Sequence, residues 1–235
     1  MMDKLYLVMP AYNEEDNIEE VVASWYPVLK LGSADSRLVV ADSGSTDRTH
    51  QILENMKQKY PKLVILEDTE KQHGPKVIAL YKYAIGQKAD FIFQTDSDGQ
   101  TDPEDFRGFW KNRNRYDAII GYRKVRGDGK ARDLIEKVVC LLLRLYFGVK
   151  IPDANAPFRL MRSSLVQKYI GRFPENYNLP NIMLTAWFVY YNENVRFRTV
   201  FFGPRAGGEN SVNIPKIIRI GWRALADFHA FKKEM

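Results

Sequence analysis

Short apolar runs that each stop at a polar or acidic residue, with helical periodicity between them, constrain the fold of this chain more than any other feature. Lys4 to Met9 closes at Pro10. Arg37 to Asp42 opens into Ser43-Gly44-Ser45, Leu63 to Leu66 forms a third run, and Phe91-Ile92-Phe93-Gln94 runs into Thr95-Asp96-Ser97-Asp98-Gly99-Gln100. Ile18, Val21, Val22, Trp25 and Leu29 recur at the spacing of one helical face, predicting a helix from Glu14 to Leu29 with acids in its first turns. Further helices are predicted from Thr46 or Asp47 to about Tyr60, from about Pro75 to Gln87, and from Pro103 to about Asn112, followed by a strand from Asp117 to Gly121. Alternation of this kind specifies an α/β fold, a mainly parallel sheet covered by helices on both faces. Such sheets bind ligands beyond the carboxyl ends of their strands. Pro10-Ala11-Tyr12, Asp42-Ser43-Gly44 and Asp96-Ser97-Asp98 are therefore expected to converge on one crevice.

The fourth run carries the most chemistry. A buried strand rarely ends on two carboxylates one residue apart without a counter-charge. Oxygen donors gathered there suit a hard cation, Mg²⁺ or Mn²⁺, shared with a substrate phosphate. An EF-hand loop counted from Asp96 would need glycine at its sixth position and glutamate at its twelfth, where this chain has Thr101 and Arg107. A haloacid-dehalogenase phosphatase also uses two aspartates at a strand end, but wants Thr or Val where Gln100 stands. A turn with solvated aspartates is the bland alternative, because Asp and Gly both favour turns.

The second half is basic. The net charge of +6 conceals a division: residues 1–120 carry 15 basic against 20 acidic residues, a net −5, and residues 121–235 carry 20 against 9, a net +11. A basic half points to a phosphate-bearing or membrane-surface partner. Nucleic acid is not expected, since the basic residues are dispersed and no nucleic-acid-binding motif occurs. Leu134 to Phe147 reads as a strongly apolar helix with Arg132, Lys137 and Arg144 interspersed. It falls short of the roughly 20 residues that span a bilayer, so it is either buried or lies at a membrane interface. Ile214 to about Lys233 is amphipathic and basic, with the same two readings. The single cysteine, Cys140, excludes an internal disulfide framework and reads as a small apolar residue in a reducing cytosol. At 235 residues and 45% hydrophobic composition, a single domain over 1–235 is expected.

Three segments taken together resemble the inverting family-two glycosyltransferases of GT-A (Rossmann-like) fold: Val8-Met9-Pro10-Ala11-Tyr12-Asn13-Glu14-Glu15, Val39 to Asp47, and Asp96-Ser97-Asp98. They occur in the family's order and at compatible spacing. The resemblance narrows to the dolichol-phosphate mannose synthase and polyprenyl-phosphate glycosyltransferase branch through Gln100, Gly121-Tyr122-Arg123, Lys130-Ala131-Arg132 and Asp153-Ala154-Asn155-Ala156-Pro157-Phe158-Arg159-Leu160, covering about residues 4 to 165. Pro204 to Ser211 is similar to the basic, Gly-rich loop that closes over the diphosphate in that branch, with the role resting on Arg205 because no lysine follows Ser211 closely. The chain departs from many relatives in ending its second strand on one aspartate, Asp42, and in lacking C-terminal transmembrane helices.

The resemblance implies a nucleotide-sugar half, 1–121, and an acceptor half, 122–235. Pro10, Ala11, Tyr12, Glu14, Asp42, Lys76, Asp96 and Arg205 would line the nucleotide, and Asp96, Asp98 and Gln100 would hold the metal. Arg123, Arg132 and Arg159 would take the acceptor phosphate, with Asp96, Asp98, Arg123 and Arg132 as the catalytic set. The donor would be a UDP- or GDP-sugar and the acceptor a polyprenyl phosphate, met peripherally at the cytoplasmic face of the membrane. A hydroxyl acceptor would need a general base, whereas a phosphate is already anionic and needs only arginines to place it. Between Ala154 and Asn192 the one acidic residue is Glu175, which favours phosphate; Asp153 is a possible base or supporting partner. Lys76 is expected at a helix start facing the nucleotide, and His73 in a loop. Transfer to a sugar hydroxyl, nucleotide-sugar binding without catalysis, and the phosphatase chemistry are the alternatives.

Overall fold

The computed structural model describes residues 2–123, 130–174, 176–203 and 225–233, apart from the side chains of 130–134. In chain order its elements are β1 (Leu5–Ala11), α1 (Ile18–Trp25), a 3₁₀ turn (Tyr26–Leu31), β2 (Arg37–Asp42), α2 (Thr49–Lys57), β3 (Leu63–Leu66), α3 (His73–Gly86), β4 (Phe91–Gln94) and α4 (Pro103–Asn112). They continue with β5 (Ala118–Arg123), α5 (Lys130–Phe147), β6 (Arg159–Arg162), α6 (Ser163–Ile170), α7 (Pro180–Tyr190) and β7 (Val195–Val200). Residues 225–233 are helical.

The strands form one sheet in the order β3-β2-β1-β4-β6-β5-β7. β1 pairs in parallel with β2 and β4, β2 with β3, and β5 with β7; β6 alone runs antiparallel, between β4 and β5. The α/β expectation holds. Alternation along each strand divides the core between the two faces. Leu5, Leu7 and Met9 pack with α1, α2 and α4, while Tyr6 and Val8 pack with α3, α5, α6 and α7. Trp25, Phe93, Phe106 and Phe158 fill the first face as an aromatic cluster, with ring centroids 4.6–6.5 Å apart.

The helix expected from Glu14 to Leu29 is shorter at both ends. Asn13 adopts a left-handed φ of 53°, so a turn closing on the Glu14 carbonyl precedes the helix. Pro27, which has no N–H to donate, turns the continuation after Trp25 into the 3₁₀ segment. Asp47 rather than Thr46 supplies the polar contact at the start of α2, accepting from the Thr49 N–H at 3.0 Å and the Thr49 hydroxyl at 2.6 Å. α4 spans the expected residues, with the Asp102 carboxylate accepting from the Glu104 N–H at 2.8 Å.

Candidate active site

The carboxyl ends of β1, β2 and β4 lie side by side, with β1 between the other two. Ala11 is in register with Asp42 across β1 and β2. The Ser97 hydroxyl donates to the Pro10 carbonyl at 2.9 Å, which ties the Asp96-Ser97-Asp98 loop to the end of β1. Lys76, in the first turn of α3, donates from Nζ to the Ala11 carbonyl at 2.5 Å and lies 5.3 Å from the Tyr12 ring centroid. Pro10, Ala11, Tyr12, Asp42, Lys76, Asp96 and Asp98 are thus brought to one crevice.

Within it, Tyr12 is 47% exposed, an unusual position for a large aromatic ring at a strand end. Asp42 is buried; its Oδ1 accepts from the Ser45 hydroxyl at 2.5 Å and its Oδ2 lies 3.3 Å from His50 Nδ1. Burial pushes the Lys76 pKa down to about 8, against the attraction of Asp42. His73, expected in a loop, instead opens α3 and sets Nε2 3.5 Å from Asp96 Oδ1. Glu14, expected on the nucleotide, lies just beyond the end of β1. It is buried, accepts from the Asn17 side-chain amide at 2.8 Å and has its own N–H on the Thr49 hydroxyl, so it fixes the entry to α1.

The Asp96–Gln100 loop is held from several directions. Gly99 takes a φ of +74°, and the Gln100 N–H donates to Asp98 Oδ1 at 3.2 Å. Gln100 is also clasped by the chain beyond β7: its side-chain amide donates to the Gly203 carbonyl at 2.9 Å, and the Gly203 N–H donates to the Gln100 carbonyl at 2.8 Å. With its nitrogen engaged, Gln100 keeps its amide oxygen as an acceptor. The donor set of Asp96, Asp98 and Gln100 is therefore all oxygen, which fits a hard divalent cation.

On the acceptor side the structure corrects one expectation outright. Arg159 is fully buried and does not face an acceptor. Its Nε and Nη2 donate to the Ala156 carbonyl at 3.1 and 2.5 Å, and its Nη1 donates to the Asn181 carbonyl at 3.1 Å. Burial lowers its pKa, and Tyr81, Asp153, Asp96 and Glu136 act in the opposite direction. Arg123 lies at the end of β5 in a bidentate pair with buried Asp153, Nε to Oδ2 at 2.8 Å and Nη2 to Oδ1 at 3.0 Å. The Arg132 side chain and all of Arg205 lie outside the described residues.

Two features were not read from the sequence. Glu136 reaches back from α5 to accept from the Ala154 N–H at 2.7 Å, a contact between residues 18 apart that no local pattern signals. Tyr81, Gln94, Asn181, Thr185 and Arg159 form a buried polar network; Tyr81 donates to Gln94, and the Thr185 hydroxyl donates to the Asn181 carbonyl at 2.7 Å. Gln94 and Arg159 stand opposite each other across β4 and β6, a pairing visible only once β6 is placed.

The sequence pattern of glycosyl transferase family 2 matches residues 6–170, a span that contains every strand end of the crevice. The chain belongs to glycosyl transferase family 2. It is similar to an undecaprenyl-phosphate 4-deoxy-4-formamido-L-arabinose transferase of Pseudomonas aeruginosa (strain LESB58), 24% identical over 221 residues that cover 93% of this chain and 63% of the relative. It is also similar to a dolichol-phosphate mannosyltransferase of Pyrococcus furiosus, 32% identical over 174 residues, 70% of this chain and 47% of the relative. The chain thus spans between about half and two thirds of the length of these relatives. Its fold is GT-A. Glucosyl-3-phosphoglycerate synthase of Mycobacterium tuberculosis, solved with Mn²⁺, UDP-glucose and glycerol 3-phosphate, superposes over 98% of this chain and 80% of its own with a TM-score of 0.67 at 18% identity.

Proposed function

We propose that this family-two chain is a metal-dependent inverting glycosyltransferase that moves a sugar from a nucleoside diphosphate to a polyprenyl phosphate at the cytoplasmic membrane face. The observation that carries the reading is the tie between the Asp96-Ser97-Asp98 loop and the end of β1, which sets an all-oxygen donor set beside exposed Tyr12 and buried Asp42. Tyr12 would stack on the base and Asp42 would accept from the base or ribose. Asp96, Asp98 and Gln100 would hold Mg²⁺ or Mn²⁺, which supplies neutralising charge for the departing diphosphate. Arg205 would assist the same group, while Arg123 and Arg132 would position the attacking phosphate. Two relatives are named for undecaprenyl-phosphate and dolichol-phosphate sugar transfer, which supports the acceptor class. Membrane contact is supported by Val138, Leu141 and Leu145, exposed on one side of α5 beside Lys137 and Arg144. No helix among the described residues is long and apolar enough to cross a membrane.

Asp98→Ala is expected to lower transfer at least about 100-fold while leaving the thermal unfolding midpoint unchanged. Full transfer by that variant in the presence of a chelator would end the metal assignment. One observation favours a second reading, transfer to a sugar hydroxyl: Asp153 and Glu136 bring carboxylates to the acceptor side, and Asp153 already occupies Arg123. Transfer to saccharides but not to polyprenyl phosphate, across a mixed acceptor panel, would select it.

A further inference from the structure

The far edge of the sheet carries two arginines that the crevice does not use. Among the described residues β7 pairs with β5 alone, and Arg196 and Arg198 occupy alternate positions along it. Their side chains therefore leave the same face of the strand, from Cα atoms about 6.7 Å apart. That face is the one α4 covers. The Arg198 guanidinium lies 5.9 Å from the Phe109 ring centroid and fills the space beside Gly108, where an added Cβ would meet it at 2.5 Å. Arg198 is thus packed against the helix. With Asn112, Tyr116 and Tyr122, the two arginines line a cleft of about 450 Å³.

Neighbouring carboxylates are committed elsewhere. Asp105 accepts from the Phe201 N–H at 3.0 Å, Asp117 pairs with Arg162 at 3.4 Å, and Glu193 pairs with Lys168 at 2.5 Å. Among the described residues, neither Arg196 nor Arg198 forms an ion pair. Both arginines are exposed, so solvent screens much of their mutual repulsion, and a shared anion would relieve the remainder. A phosphate suits that task, since its several oxygens can accept from two guanidinium forks at once. β6 and β5 separate β7 from β4, so these two strands lie about 14 Å apart across the sheet.

We propose that the cleft between α4 and β7 is a second anion site, which takes the phosphate group of a ligand through Arg196 and Arg198. The phosphate belongs either to a soluble ester or to a phospholipid headgroup. The backbone amide resonances of Gly108, Asn112 and β7 are followed as sodium phosphate is added at constant ionic strength, and again with phosphatidate-containing vesicles against pure phosphatidylcholine. Saturable shifts with free phosphate assign a soluble ester, and saturation on phosphatidate vesicles alone assigns the headgroup. Arg196→Gln and Arg198→Gln should each weaken the response about tenfold or more. Gly108→Ala keeps both arginines but displaces one guanidinium, and should weaken it as well. A response that stays linear with both probes, or that saturates equally in the wild type and both arginine variants, overturns the proposal.

Discussion

Lys76 joins three parts of the crevice through one side chain: its Nζ holds the Ala11 carbonyl, its charge faces Asp42, and its ammonium lies under the Tyr12 ring. Burial depresses its pKa to about 8, below the value near 10.4 of an unfolded chain. Below pH 8 the lysine is charged in both states and the folded state bears the desolvation penalty. Between about pH 8 and 10.4 the unfolded state holds the extra proton, so this residue's contribution to stability rises with pH. Lys76→Met, similar in length and uncharged, removes that dependence. The unfolding midpoint of the wild type should gain on that of the variant between pH 7 and pH 10, and a constant gap would show that Lys76 is not desolvated. At this scale the sequence brought Tyr12, Asp42, Asp96 and Asp98 to one crevice because each stands at or just beyond an apolar run, and Lys76 because Gly74 and Pro75 mark a helix start. It misplaced Arg159, since charge alone does not tell whether a side chain meets a ligand or a backbone carbonyl.

Among the elements, β6 depends most on a single buried charge. Arg159 stands at its first residue and bonds to the 154–156 loop and to α7, through the Ala156 and Asn181 carbonyls and the Thr185 hydroxyl. Arg159→Met would fill the volume but leave those acceptors buried without a donor, costing about 3 kcal/mol or more. Urea unfolding should show a lower midpoint with little change in slope; an unchanged midpoint would return Arg159 to a role in acceptor binding. The strands and helices through α4 were legible because apolar periodicity and helix-start residues such as Pro75 and Pro103 are local signals. β6 and β7 were not, for physical reasons. Arg-Leu-Met-Arg is too short and too charged to read as a buried strand, and β7 alternates arginine with apolar residues at an edge where one side meets solvent.

For the whole molecule, the proposed membrane contact draws on the basic second half and on the exposed row on α5 together. Val138, Leu141 and Leu145 leave one side of that helix uncovered, between Lys137 and Arg144. Membrane attachment through this face predicts sedimentation with vesicles containing phosphatidylglycerol, weaker binding to pure phosphatidylcholine, and release by salt. Leu141→Ser combined with Leu145→Ser should reduce the bound fraction severalfold; binding of the double variant equal to that of the wild type would exclude this face. The sequence showed the helix and its charges but left open whether it was buried, because that depends on how much of it α7 and the 225–233 helix cover. Leu143 and Phe147 are buried there, while Leu141 and Leu145 are not. The reversed strand β6 carries one more consequence. A stretch of the second half is threaded between β4 and β5, and β7 lies along the far side of β5, so residues 1–121 and 122–235 share hydrogen bonds along three ladders. Anyone who sets out to exchange acceptor specificity between relatives by swapping C-terminal cassettes would be cutting through a woven sheet, and would need to transplant β6 together with the strands on either side of it.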